Sequence, residues 1–355
     1  MKILAIDTSC DETSVAVTEG TRVLSNKISS QIEFHKKWGG VVPGIARTMH
    51  KENIDIVVKE ALLSAKTKLE EIDAVAVTQG PGLAIALEVG ITKAKEISGV
   101  IGKPLIAINH MEGHIYSTLA QNKSGNPKIN YQFPLLALLV SGGHTELVLM
   151  KNHGDYEIIG RTLDDAVGEA YDKVARMLGI GYPGGPIIEK LAKEGNPEGF
   201  PLPIPMTKTR SCDFSYSGLK TSVLYLTQKV LGENLSKHER QKITKDIAAS
   251  FQRVAIESLV IKTKIALEDL SNEYEIKDII LAGGVSANLA LRKEFRKVFG
   301  PRHSGASKNY RLHYPTNKKL YGDNAAMIGV AAYYSAQNGK FTEPINLERL
   351  PNLSL

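Results

Sequence analysis

The fold turns on one stretch: Leu135-Leu136-Ala137-Leu138-Leu139-Val140-Ser141-Gly142-Gly143-His144-Thr145-Glu146-Leu147-Val148-Leu149-Met150. Leu135 to Val140 is an unbroken apolar run of strand length, Ser141 to His144 a polar turn, and Thr145 to Met150 a second strand. Asn152-His153-Gly154-Asp155 turns the chain again, and Tyr156 to Thr162 makes a third strand. The chain begins on the same plan, with strand Lys2–Ile6, polar turn Asp7–Thr13, strand Val15–Thr18 and the alternating run Arg22–Ile28. Both triplets continue alike. The first leads through a helix (about 53–66) to strand Ala74–Thr78, the turn Gly80-Pro81-Gly82 and another helix. The second leads through a long helix (about 244–271) to strand Asp278–Ala282, Gly283-Gly284 and a helix from about 287. Two such copies predict a duplicated α/β fold with domains at 1–130 and 135–322 and a central cleft, where glycine turns leave strand ends. The segment 193–242, rich in Pro, Gly and Ser, reads as an insertion in the second copy.

Bulk properties exclude several classes. A length of 355 residues accommodates two cores, and no run reaches the roughly 18 uncharged apolar residues of a membrane helix. Met1 to Ile6 is apolar but meets Asp7 too soon for a signal peptide. Two cysteines, Cys10 and Cys212, make no disulfide framework and point to the cytoplasm. Between Arg292 and Lys319 nine Lys/Arg face a single acid, a local +8 in a chain of net +6 that leaves the remainder at about −2. That window is either a solvated face or a phosphate-binding footprint, with His303, Tyr310, His313 and Tyr314 placed to stack on unpaired bases.

The sharpest chemical signal is Asn109-His110-Met111-Glu112-Gly113-His114, directly after the apolar strand Pro104–Ile108. Histidines at i and i+4 share a helix face and can share a metal. Glu112 lies roughly 200° around the helix from His110, so it cannot serve as a zinc protease's base. Asp323, in Tyr321-Gly322-Asp323-Asn324, is either an ordinary helix-start acid or a third ligand. Two His and one carboxylate favour Fe2+ over Zn2+ and leave coordination positions for substrate. Val140-Ser141-Gly142-Gly143-His144 and Gly184-Gly185-Pro186 are either plain turns or backbone cradles for a phosphate or ribose. The chain has no Gly-x-x-x-x-Gly-Lys-Ser/Thr run and is not itself a P-loop ATPase.

The architecture resembles the RNase H-like superfamily of actin, sugar kinases and chaperone ATPases, in which a final helix, here about 323–338, often returns to the first domain. More specifically, the sequence resembles the TsaD-type threonylcarbamoyl transferases. The matching stretches are Asp7–Thr13, Thr78–Leu83, Asn109–His114, Leu139–Thr145, Leu163–Lys173, Tyr182–Pro186, Phe214–Thr221, Ala282–Asn288 and Asp323-Asn324, in family order across nearly the whole chain. The resemblance implies His110, His114 and Asp323 as ligands of one divalent metal. It implies Leu139, Val140, Ser141, Gly142, Gly143, Asp172, Gly185, Glu189 and Asn288 as the residues holding threonylcarbamoyl-AMP. It further implies tRNA as the acceptor, modified at N6 of the adenosine 3′ of the anticodon, with a non-catalytic paralogue and a small P-loop ATPase as partners and no membrane. Leu139, where the archaeal and eukaryotic branch has a Tyr ligand, and His144 look bacterial or organellar. Gly44 and Ile85 depart from the family pattern and bear on partner and tRNA contacts. The rival readings are an ATP-dependent kinase of the same superfamily and a nucleotide-binding scaffold; neither uses His110, His114 and Asp323 as a set.

Overall fold

The computed structural model describes residues 1–207, 209–232, 234–301 and 310–355, which fall into two compact units. The first comprises 1–131, 152–155 and 314–355, the second 132–151 and 156–313.

In the first unit β1 (Lys2–Asp7), β2 (Glu12–Glu19) and β3 (Arg22–Ser30) form an antiparallel meander. Strands β4 (Ala74–Gly80) and β5 (Leu105–Asn109) add in parallel, so the sheet reads β3-β2-β1-β4-β5. Helix covers both faces, which is why β1 and β4 are apolar without alternation. Leu4, Ile6, Val15, Val17, Val75 and Val77 pack with α2 (Pro43–Ala65) and α3 (Ala84–Ile101). On the opposite face Ala5 is small because α10 (Ala325–Gln337) lies close: a Cβ on Gly329 would stand 2.7 Å from Thr18 and 3.3 Å from Ala5. The remaining helices of this unit are the short α1 (Ile32–His35) and α4 (His110–Tyr116).

The second unit repeats the sheet. Its strands are β6 (Leu135–Val140), β7 (Thr145–Asn152), β8 (Asp155–Arg161), β9 (Asp278–Ala282) and β10 (Arg311–His313), in the order β10-β9-β6-β7-β8. Strand β6 pairs antiparallel with β7 and parallel with β9, matching β1 with β2 and β4. The duplicated α/β plan is thus present strand for strand. Its helices are α5 (Val167–Met177), α6 (Gly184–Ala192), α7 (Ser217–Val230), α8 (Lys237–Leu270) and α9 (Leu289–Phe299).

Helix starts depart most from the sequence reading. Helix α2 begins ten residues before the expected 53, with Pro43 in its first turn, where a missing N–H costs nothing. Helix α8 begins seven residues before the expected 244, at a capping box in which Ser236 and Glu239 satisfy each other's backbone N–H. The segment 193–242 contains the 14-residue helix α7.

Candidate metal centre and nucleoside pocket

Two helix caps build the first site. Asn109 ends β5 and its Oδ1 accepts from the N–H of Met111 (2.8 Å) and Glu112 (3.4 Å), so α4 starts abruptly with His110 in its first turn. His114 follows one turn later. Gly113 lets α4 press on α10: a Cβ there would meet Ile328 at 2.8 Å and Met327 at 3.2 Å. The cap of α10 is Asn324, not Asp323; its Oδ1 accepts from the Met327 N–H at 3.2 Å. The helix-start role is taken by its neighbour, which leaves the Asp323 carboxylate turned toward α4.

His110 Nε2 and His114 Nε2 lie 3.2 and 3.3 Å from the same oxygen, Asp323 Oδ1, and the three prospective donor atoms fall within 4.8 Å of one another. Both histidines are buried, and their rings meet edge to face with centroids 4.7 Å apart. The Nδ1 atoms of His110 and His114 are buried without a hydrogen-bond partner. Buried polar atoms rarely stay unsatisfied unless an ion or water completes them. Two imidazoles and a carboxylate converging on one point suit a divalent first-row metal, so the residues present fit such an ion.

Electrostatics favour the ligating forms of two of the three groups. Burial disfavours charge on Asp323, but His110 and then His114 more than offset this and hold the carboxyl well below the usual range. Burial pushes His114 down, keeping it neutral. Burial likewise opposes charge on His110, yet the carboxylates of Asp323 and Asp7 reverse the effect and push it up to about 10. A metal at this point must therefore displace a proton from His110.

Asp7 is a participant that sequence reasoning did not assign to the site. It is fully buried at the end of β1, accepting from Thr78 Oγ1 (2.8 Å) and the Ser9 N–H (3.1 Å), with Oδ1 3.8 Å from His110 Nδ1. A carboxylate behind the second nitrogen of a histidine sets which nitrogen faces the metal. Its sequence signals were an acid closing an apolar strand and its place at the head of the family-matching stretch Asp7–Thr13.

The second unit contains a cavity of about 190 Å³. Of the nine residues expected to hold an adenylate, Gly142, Asp172, Gly185, Glu189 and Asn288 line it. Leu139 and Val140 are instead wholly buried in β6, and Ser141 and Gly143 sit in the turn beside it without lining it. An added Cβ at Gly142, Gly143 or Gly185 would meet nothing within 4 Å, so the chain's own packing does not demand glycine there. Bare backbone beside a cavity is what close approach of a ligand requires. The polar side chains also build the pocket wall. Asp172 accepts from the Gly184 N–H (2.6 Å) at the start of α6, and Glu189 from the Leu289 N–H (3.0 Å). Asn288 caps α9 through the Ala290 and Leu291 N–H groups and donates to Gln252 at 2.8 Å.

Residues 302–309 of the basic window, among them Arg302, His303 and Lys308, lie outside the described residues. Arg311 makes two bonds to buried Asp278 (2.5 and 2.7 Å), so it serves the fold of the second unit. Among the described residues no helix is long and apolar enough to cross a membrane.

Comparison with known proteins adds the family. Two solved structures are similar in fold: component A of the (R)-2-hydroxyglutaryl-CoA dehydratase of Acidaminococcus fermentans (TM-score 0.53, 12% identity, 95% of this chain and 99% of that one) and full-length HypF in a phosphate- and nucleotide-bound form (TM-score 0.55, 14% identity, 95% and 46%). Such low identity shows the fold alone. A family model described as tRNA N6-adenosine threonylcarbamoyltransferase matches residues 22–330. Curated proteins of that name are 45% identical in Thermosipho africanus (100% of both chains) and 46% in Clostridium kluyveri (100% of this chain, 98% of that one). A third, from Symbiobacterium thermophilum, is 48% identical over 99% of this chain and 96% of its own length. On this match the chain belongs to the tRNA N6-adenosine threonylcarbamoyltransferase family.

Proposed function

We propose that this chain transfers the threonylcarbamoyl group of threonylcarbamoyl-AMP to N6 of the adenosine immediately 3′ of the anticodon in tRNA. The new bond joins N6 to the carbamoyl carbon; the bond from that carbon to the phosphate oxygen breaks, AMP leaves, and N6 loses a proton. The observation that carries the reading is the convergence of His110, His114 and Asp323 in a chain of this family. Kinase or ATPase chemistry on the same fold has no use for that set.

These three residues would hold one divalent metal, Fe2+ by preference for two imidazoles and one carboxylate, with Zn2+ second. When bound, the ion offers a Lewis acid for the carbonyl and phosphate oxygens. Asp7 would orient His110 so that Nε2 carries the free lone pair. In the second unit Asp172 and Glu189 would accept bonds from ribose hydroxyls, while Gly142 and Gly185 admit the nucleotide to the backbone. An anticodon loop splays its bases cheaply, so the target adenosine can be presented unpaired. A non-catalytic paralogue and a small P-loop ATPase are the proposed partners. Two free cysteines support a cytoplasmic location.

The test is reconstitution. Purified chain, threonylcarbamoyl-AMP and tRNA, with and without the two partner proteins, should yield threonylcarbamoyl-adenosine by nucleoside mass spectrometry. His110→Ala should abolish it. ATP turnover by the metal-free chain without any tRNA product would refute the reading.

A further inference from the structure

One turn of the first unit is patterned inside out. Between Gln31 and Trp38 the wholly buried side chains are polar, Gln31 and His35, while the aromatic ones face solvent, Phe34 at 55% and Trp38 at 59% exposure. Helix α1 runs directly into a 3-10 turn at Lys36–Trp38, so the two rings stand four residues apart on one short element. Folding ordinarily places rings inside and amides outside, so two exposed rings over a buried amide and imidazole reverse the usual pattern.

The buried side explains how such a turn stays in place. The Val42 N–H donates to His35 Nδ1 (3.3 Å), which leaves His35 Nε2–H to donate to Gln31 Oε1 (3.3 Å). Gln31 Nε2 in turn donates to the Ala46 carbonyl (3.4 Å) and to His50 Nδ1 (3.3 Å). His50 Nδ1 also accepts from the Thr13 hydroxyl (2.8 Å), and its Nε2–H donates to the Cys10 carbonyl (3.0 Å). One set of tautomers serves these bonds, with the Thr13 hydroxyl and the Gln31 amide sharing the single lone pair of His50 Nδ1. A buried network of this kind holds the turn that carries the two rings against the body of the unit.

Charge identifies the occupant. Two cations, Lys36 and Lys37, stand between the two rings in the chain, against the single acid Glu33. Lys37 Nζ lies 5.5 Å from the Trp38 ring centre, and Lys36 pairs with Glu33 at 2.5 Å. Exposed rings interleaved with lysines are how proteins hold unpaired nucleotides: any base offers a face to stack, and the flanking cations meet phosphates.

We propose that Phe34 and Trp38 form a stacking platform for an unpaired nucleotide of the RNA substrate, with Lys36 and Lys37 on the adjoining phosphates. The choice of RNA rests on the function proposed above. Trp38 is the chain's only tryptophan, so its emission reports this place and no other. The full-length chain is titrated with an anticodon stem-loop RNA and, separately, with a fully paired duplex of the same composition. Saturable quenching by the stem-loop and little by the duplex is expected. Trp38→Ala should weaken stem-loop binding about tenfold and Trp38→Phe far less. Neutralising Lys36 and Lys37 together, with the tryptophan intact, should lower the salt dependence of binding by one to two log–log units. Circular dichroism of each variant checks that the fold is retained.

Silent emission, equal quenching by the duplex, or unchanged affinity in Trp38→Ala overturns the platform. A response of Trp38 only to an added protein partner also overturns it and makes the turn a protein interface. Transfer activity, measured in parallel, separates the two ideas. Activity with a silent Trp38 refutes the platform alone, and quenching without transfer refutes the proposed reaction alone.

Discussion

Asp7→Asn is the substitution that best tests how the metal centre is built. The amide is nearly isosteric and its oxygen still accepts from Thr78 Oγ1 and the Ser9 N–H, so the end of β1 should keep its shape. What changes is the buried negative charge 3.8 Å behind His110 Nδ1. At an effective dielectric of about 20, a unit charge at that separation interacts with a protonated imidazole by roughly 4 kcal/mol before desolvation is subtracted. Losing an outer carboxylate typically lowers metal affinity by about 10- to 100-fold, or ~1.4–2.7 kcal/mol. The 3.8 Å separation exceeds the hydrogen-bond range of about 2.7–3.2 Å. Asp7 therefore acts through charge more than through a directed bond, and the lower end, about tenfold, is expected. Competition for Zn2+ or Co2+ against a chromogenic chelator measures it without reference to activity. Thr78→Val, which removes one of the bonds holding Asp7, should lose less. A change of twofold or under in Asp7→Asn, with the fold intact, would refute the orienting role and leave Asp7 as a structural partner of Thr78.

Other outcomes are as definite. His114→Ala should remove bound metal and transferase activity together, read by elemental analysis and nucleoside mass spectrometry; retained metal would sink the proposed ligand set. Asp278→Asn should destabilise the second unit by about 2–3 kcal/mol, below the ~3–5 typical of breaking a buried pair, because half-exposed Arg311 can rehydrate. Burial opposes ionisation of Asp278, but His313, Arg311 and the Gln132 N–H outweigh it and hold the carboxyl below its usual range. Its contribution is therefore present above the ordinary Asp pKa of about 3.9 and is lost as pH falls through the lower folded value, so wild-type and variant melting curves should converge in acid. Gly185→Val should leave thermal stability nearly unchanged, since a Cβ there meets nothing in the chain, yet weaken adenylate binding measured by calorimetry. A loss of stability with normal binding would reverse that assignment.

Much of this protein was legible from local pattern. Strand runs and glycine turns repeat along the chain, and burial on both faces of a sheet writes itself into sequence as unbroken apolar stretches such as Leu135–Val140. His110 and His114 could be paired because helical spacing is a local property. Helix starts were less legible. Pro43 and the Ser236–Glu239 box act over one turn, and α2 and α8 continue through polar residues that carry no strong period. Asp323 lay beyond local reasoning altogether, 213 positions from His110. Spacing left it as cap or ligand; family resemblance named it; the packing of α10 on α4 over Gly113, with Asn324 taking the cap, is what turns its carboxylate to the histidines. Asp7 and the outward rings of Phe34 and Trp38 were hidden for the same reason. Residue type and spacing are carried by neighbours in the chain, whereas burial, orientation and the partner at 3 Å are decided by whichever distant segment packs there.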